Sequence, residues 1–107
     1  MTDYVQVLTT AGSEEEAERI CDALVEDRLA ACVQVAGPVR STYRWRGKVE
    51  REHEWQCLAK TEMRLYDEVE AAIRRVHSYE EPEILAIPVL AGSRGYLDWI
   101  SSSCRSR

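Results

Sequence analysis

The most suggestive polar cluster in the chain is His77-Ser-Tyr79-Glu-Glu-Pro82-Glu83. It places an imidazole, a phenol and several carboxylates in one short connection. Imidazole suits Cu, Zn and Ni, and a carboxylate can fill a further position around such an ion. Two ligands are few for a metal site. The same residues also read as a helix C-terminus, with His77 near the negative end of the dipole, Glu80 and Glu81 in solvent, and Tyr79 and Glu83 orienting the loop. His53 is the other imidazole. Neither histidine has a sequence-local nucleophile and carboxylate around it, so an acyl-transfer triad has no support.

Other chemistries fail on particular residues. A soft-metal carrier of this size would want paired thiolates in its first strand-to-helix loop. That loop is Thr9-Thr-Ala-Gly-Ser13, which has no sulfur. An anion-cradling hydrolase would want a glycine-rich loop followed closely by Arg, whereas here one Gly precedes Arg19 on the helix. Cys21, Cys32, Cys57 and Cys104 form no C-x-x-C pair, which removes zinc knuckles and thioredoxin-type motifs. Three of them sit in apolar periodic patterns and read as small buried hydrophobes. Cys104, near the end of the chain, reads as the exposed, reactive one.

Residues 40–51 carry Arg40, Arg44, Arg46, Lys48 and Arg51 against the single acid Glu50. Strand alternation turns Tyr43 and Trp45 away from Arg44 and Arg46, so stacking and phosphate-binding groups fall on different faces. The net charge is −5, the wrong sign for general nucleic-acid binding. No apolar run reaches the roughly 18 residues of a membrane span, and the first residues carry no secretory h-region. A cytoplasmic protein with neither a nucleic-acid nor a membrane partner is the expectation.

These groups must be positioned by 107 residues, which is the size of one domain with a thin stability margin. Tyr4 to Thr10 reads as a strand. Ser13 with Glu16 is a capping-box pattern, and Ala17, Ile20, Cys21, Leu24 and Val25 recur on one helical stripe. Strands are expected at 29–36, stopped by Gly37-Pro38, and at 41–46, turning at Gly47-Lys48 into 49–52. A further strand is expected at 54–61, with Trp55, Cys57 and Ala59 on one face. A second helix carries Leu65, Val69, Ala72, Ile73 and Val76 and ends before Pro82. A strand at 83–90 and a short helix capped by Ser93 complete an ordered core over residues 3–101, with 102–107 as a frayed tail. The order predicts an α+β fold: a ferredoxin-like split β-α-β sandwich with an extended central hairpin and a short C-terminal helix.

Five blocks in order then resemble one family. They are Leu29-Ala-Ala-Cys32, Ser41-Thr-Tyr-Arg-Trp-Arg-Gly-Lys48, Lys60-Thr61, His77-Ser-Tyr-Glu-Glu-Pro-Glu-Ile84 and Tyr96-Leu-Asp-Trp99. On these the chain resembles the CutA family, the divalent-cation tolerance proteins, over residues 4–100.

The resemblance implies a non-enzymatic homotrimer, similar in architecture to PII signalling proteins, that binds divalent cations in copper tolerance and homeostasis. It implies His77 and Glu83 as metal ligands. The family's cysteine falls on Thr9, a poor ligand for soft ions, and Ser78 stands for a usual proline. Weak binding of Cu(II), or of Zn(II), is therefore expected. The alternative is a PII-like trimeric sensor or scaffold that takes a small anionic ligand or a protein partner at inter-subunit clefts. There Lys60 would supply positive charge, held by Glu83, and Trp45 and Tyr79 would wall the cleft.

Overall fold

The computed structural model describes residues 3–106. Met1, Thr2 and Arg107, included in the single-domain expectation, lie outside the described residues. Along the chain run β1 (Tyr4–Ala11), α1 (Glu14–Glu26), β2 (Cys32–Trp45), β3 (Lys48–Glu62), a 3-10 turn (Met63–Leu65), α2 (Tyr66–Val76), β4 (Ile84–Pro88) and α3 (Arg94–Ser103). The sheet is four-stranded and antiparallel in the order β2-β3-β1-β4, which is the split β-α-β arrangement the sequence predicts.

Ser13 caps α1 as its type requires: its Oγ accepts the Glu16 N–H at 3.1 Å. Glu14, Glu15 and Glu16 fill the first turn, where the dipole favours anions. Ala17, Ile20 and Leu24 are buried from α1, and Val69, Ala72 and Ile73 from α2. They cover the sheet face formed by Val5, Val7, Thr9 and Ala11 of β1 with Cys57, Ala59 and Thr61 of β3. Val25, assigned to the same stripe by spacing, is instead 41% exposed.

The expected strands at 29–36 and 41–46 are one strand, as are those at 49–52 and 54–61. Gly37-Pro38 does not end β2, because β2 is the sheet's edge and the pairing steps over these residues between Ala36 and Val39. A proline at an edge forfeits no ladder hydrogen bond. Gly37 is also required by space: a Cβ there would lie 2.8 Å from the Trp55 ring. The hairpin turns at Arg46 and Gly47, with φ of 51° and 80°, one residue before the expected Gly47-Lys48. Two consecutive positive φ values match the two-residue hairpin turn whose twist suits antiparallel strands.

The C-terminal segment is docked. α3 continues to Ser103, the Arg28 guanidinium donates to the carbonyls of Ser102 and Ser103, and the Arg105 N–H donates to the Arg28 carbonyl at 2.8 Å. Cys104 is 3% exposed beside the Thr61 hydroxyl, so the expectation of a frayed tail with a reactive thiol is corrected.

α1 and α2 leave the opposite face of the sheet uncovered, and at its end Ser101 of α3 hydrogen-bonds Tyr4 and Glu62. Register aligns Gln34, Leu58, Leu8 and Leu85 across all four strands on that face. Ile87 follows Leu85 there; Leu85 is 53% exposed and Ile87 40%.

Candidate functional site: an acidic cleft beside a buried histidine

β1 pairs with β3 only over Trp55–Glu62, so the outer half of the β2–β3 hairpin projects beyond the sheet. Alternation gives this arm two unlike faces. Register places Val39, Ser41, Tyr43 and Trp45 opposite Glu54, Glu52, Glu50 and Lys48, whereas Arg40, Thr42 and Arg44 oppose His53, Arg51 and Val49. Arg40 and Arg44 therefore face away from Tyr43 and Trp45, but Arg46, expected on their side, sits in the turn and comes over Trp45 instead. At the arm's tip the Arg46 guanidinium donates to Glu80 at 2.7 Å and lies over the Trp45 ring.

Between the first of these faces and residues 79–83 lies a cavity of about 850 Å³. Its walls carry Trp45, Tyr43 and Tyr79 with six carboxylates: Glu50, Glu52, Glu54, Glu80, Glu81 and Glu83. Glu54, 6% exposed, accepts the Tyr79 hydroxyl at 2.8 Å. Burial, and then that bond to Glu54, push the Tyr79 phenol far above its ordinary value. The Tyr43 phenol is raised first by its hydrogen bond to Glu52. A contribution common to both is the carboxylate: a phenol hydrogen-bonded to a neighbouring carboxylate resists becoming a second anion.

His77 does not open into this cavity as a ligand would. Its side chain is 0% exposed. Nε2 donates to the Thr10 carbonyl at 2.6 Å, and Nδ1 accepts the Tyr79 N–H at 3.1 Å, which assigns the Nε2–H tautomer. Glu16 Oε1 lies 3.4 Å from Nδ1 and accepts the Ser78 hydroxyl at 3.2 Å. The imidazole thus ties the end of α2 to β1 and α1 with both nitrogens in use. Glu83 is exposed on the cleft wall. The His77–Glu83 pair does not fit a metal as it stands, and among the described residues no three His, Cys, Asp or Glu side chains converge to hold one.

Trp45, Tyr79 and Glu83 line this cavity within one chain, but Lys60 does not. Lys60 lies on the sheet face turned away from α1 and α2, opposite Gln6 and Cys32, and donates to Gln34 at 2.6 Å. The expected Lys60–Glu83 ion pair is absent among the described residues. Thr9 points away from the cleft, into the core, where it is 1% exposed and its Oγ1 has no hydrogen-bond partner.

Residue-by-residue reading missed the acidic wall. Its signal is Glu50-Arg-Glu52-His-Glu54, a row of carboxylates at the strand period.

Known proteins agree with this architecture. The family pattern described as "CutA1 divalent ion tolerance protein" matches residues 5–103. The "Divalent-cation tolerance protein CutA" of Thermus thermophilus is 44% identical over 94 residues, covering 88% of this chain and 91% of that protein. Its namesake from Pectobacterium atrosepticum is 37% identical over 105 residues, covering 98% and 96%. Among solved structures, the divalent cation tolerance protein Cut A1 of Thermus thermophilus superposes with a TM-score of 0.93 at 40% identity, over 95% of this chain and 99% of that one. CutA1 from Oryza sativa gives 0.95 at 30% identity, over 99% and 97%. The chain belongs to the CutA family of divalent-cation tolerance proteins.

Proposed function

We propose that this chain serves metal tolerance as a non-enzymatic homotrimer that binds divalent cations weakly in its acidic clefts, each cleft being completed by a neighbouring copy. The observation that carries the reading is the six-carboxylate wall around about 850 Å³. Clustered carboxylates raise the local cation concentration and supply oxygen ligands. A single chain lacks three convergent ligands among its described residues, so the remaining donors come from another copy or from water. Glu83 keeps its proposed ligand role, and His77 becomes the residue that positions the 77–83 loop. Cu(II) is the ion of choice because, among divalent first-row ions at a given oxygen or nitrogen site, it binds most tightly, with Zn(II) behind it.

The scaffold alternative survives in one form. A small anion would meet six carboxylates and no Lys60, whereas a basic protein segment would meet complementary charge. The Arg40 and Arg44 face of a neighbour's hairpin is such a segment.

Calorimetric titration of Cu(II) into wild type, Glu52→Gln and Glu83→Gln tests the proposal. Saturable binding that weakens about tenfold or more in each variant, the scale of losing one ligand or its support, is the expected result. Equal binding in all three would overturn it.

A further inference from the structure

The β2–β3 arm has a second face, turned away from Tyr43 and Trp45. Register sets Arg40 opposite His53, Arg51 opposite Thr42 and Arg44 opposite Val49 on it. Arg51 therefore lies diagonally between Arg40 and Arg44, and all three side chains are exposed. Arg46, Arg64, Arg74 and Arg105 each pair with a carboxylate. Among the described residues, Arg40, Arg44 and Arg51 make no hydrogen bond or ion pair. Carboxylates are near in sequence, since Glu50 and Glu52 flank Arg51, but strand alternation turns both to the cleft. Like charges close together on one face of a strand pair are destabilising. The chain keeps three of them unneutralised on a ribbon that extends beyond its pairing with β1.

We propose that this face docks an acidic peptide segment of a partner protein, bound in extended form with a carboxylate at every second residue. A strand rises about 3.4 Å per residue, so same-face side chains recur about every 6.8 Å both in the arm and in such a peptide. Successive carboxylates on one side of the peptide thus meet the three guanidiniums in turn. Each guanidinium fork takes a carboxylate through two parallel hydrogen bonds. Extended chains packed face to face lie about 10 Å apart, which leaves room for a long Arg side chain to reach a Glu. Nucleic acid fits this face less well. Tyr43 and Trp45, the rings nearest in sequence, are on the other face, which takes away the platform on which bases stack. The net charge of −5 also opposes a dense polyanion. The chain's own row of alternate carboxylates is not the occupant: Glu50, Glu52 and Glu54 face the cleft of their own arm, where Glu54 is 6% exposed and bonded to Tyr79.

The docking face is separate from cation binding in the cleft. Fluorescence anisotropy of a labelled peptide of alternating Glu and Ser tests it, against a peptide of the same composition with its glutamates in one block. Both are titrated with the full chain as wild type, Arg40→Gln, Arg44→Gln, Arg51→Gln and the triple variant. Arg75→Gln, at an exposed arginine of α2, is the control. The replaced arm side chains are exposed and hold no partner among the described residues, so these variants keep the fold. We expect saturable binding of the alternating peptide that weakens as salt is raised, and weaker binding of the block peptide. Each single replacement on the arm should cost about two- to fivefold in affinity, the scale of one exposed ion pair. The triple variant should lose binding, and Arg75→Gln should match wild type. No binding by wild type, equal affinity for the two peptides, or an equal loss in Arg75→Gln would overturn the proposal. So would tighter binding of a single-stranded oligonucleotide than of the peptide. A fall in mass by light scattering in the triple variant would overturn it too, by placing the face between copies of this chain.

Discussion

His77 shows how residue type alone misleads. An exposed imidazole beside carboxylates is a ligand in waiting, but here both ring nitrogens hydrogen-bond within the chain, at Thr10 and Tyr79. His77→Ala strands the Thr10 carbonyl, at a cost of about 1–3 kcal/mol. For a chain of this size that lowers Tm by roughly 4–8 °C per kcal/mol. Thermal unfolding followed by circular dichroism should show that drop, and an unchanged Tm would contradict the positioning role. Tyr79 carries a pH prediction. Burial and Glu54 raise its phenol in the fold, while the unfolded chain releases that proton from about pH 10. Above that pH the unfolded state binds fewer protons than the folded one, so stability falls as pH rises and is fully present below it. Urea unfolding at about pH 9 and 11 should show a loss that is smaller in Tyr79→Phe. An equal loss in both would remove Tyr79 from the account. Neither pairing was legible from spacing, since Thr10 and Glu54 are brought to the 77–79 segment only by the sheet.

At the scale of elements, periodicity was the readable signal. The capped start of α1, the apolar stripe of α2 and the Ser93 cap of α3 are all local patterns, and all three are present. Strand ends were harder, because Gly37-Pro38 is a stop signal in isolation and a tolerated irregularity on an edge strand. The docked tail leaves no local signal for a related reason: its anchors, Arg28 and Arg64, lie far away in sequence. The hairpin arm depends on its turn. Gly47, with φ of +80°, tolerates no side chain without strain of about 1–2 kcal/mol. Gly47→Val should therefore lower the urea midpoint, while a Gly95→Ala control inside α3 should not, since a Cβ at Gly95 meets nothing within 4 Å and Ala favours a helix. A Gly47→Val midpoint equal to wild type would mean that the turn relaxes into another form.

The whole molecule is visibly unfinished on one side. The helices α1 and α2 cover one face of the sheet, and the row Leu58, Leu8, Leu85 with Ile87 beside it lines the other. Burying such a row stabilises at about 25 cal/mol per Å², which is the physical argument for the homotrimer we propose. Only the register shows that the apolar residues of β4 align with β1 and β3 on one face. Spacing marks Trp45, Tyr79 and Glu83, which meet in one cavity, but not the sign of its wall: Lys60 lies elsewhere and carboxylates line it. The central claim, that cations bind in acidic clefts completed between copies, is tested most directly by calorimetric Cu(II) titration of Leu85→Lys beside wild type, each with its mass measured by light scattering. The account predicts a trimeric wild type with saturable binding, and a monomeric variant that keeps its fold by circular dichroism but loses that binding. A folded monomer that binds Cu(II) as tightly as wild type would contradict it.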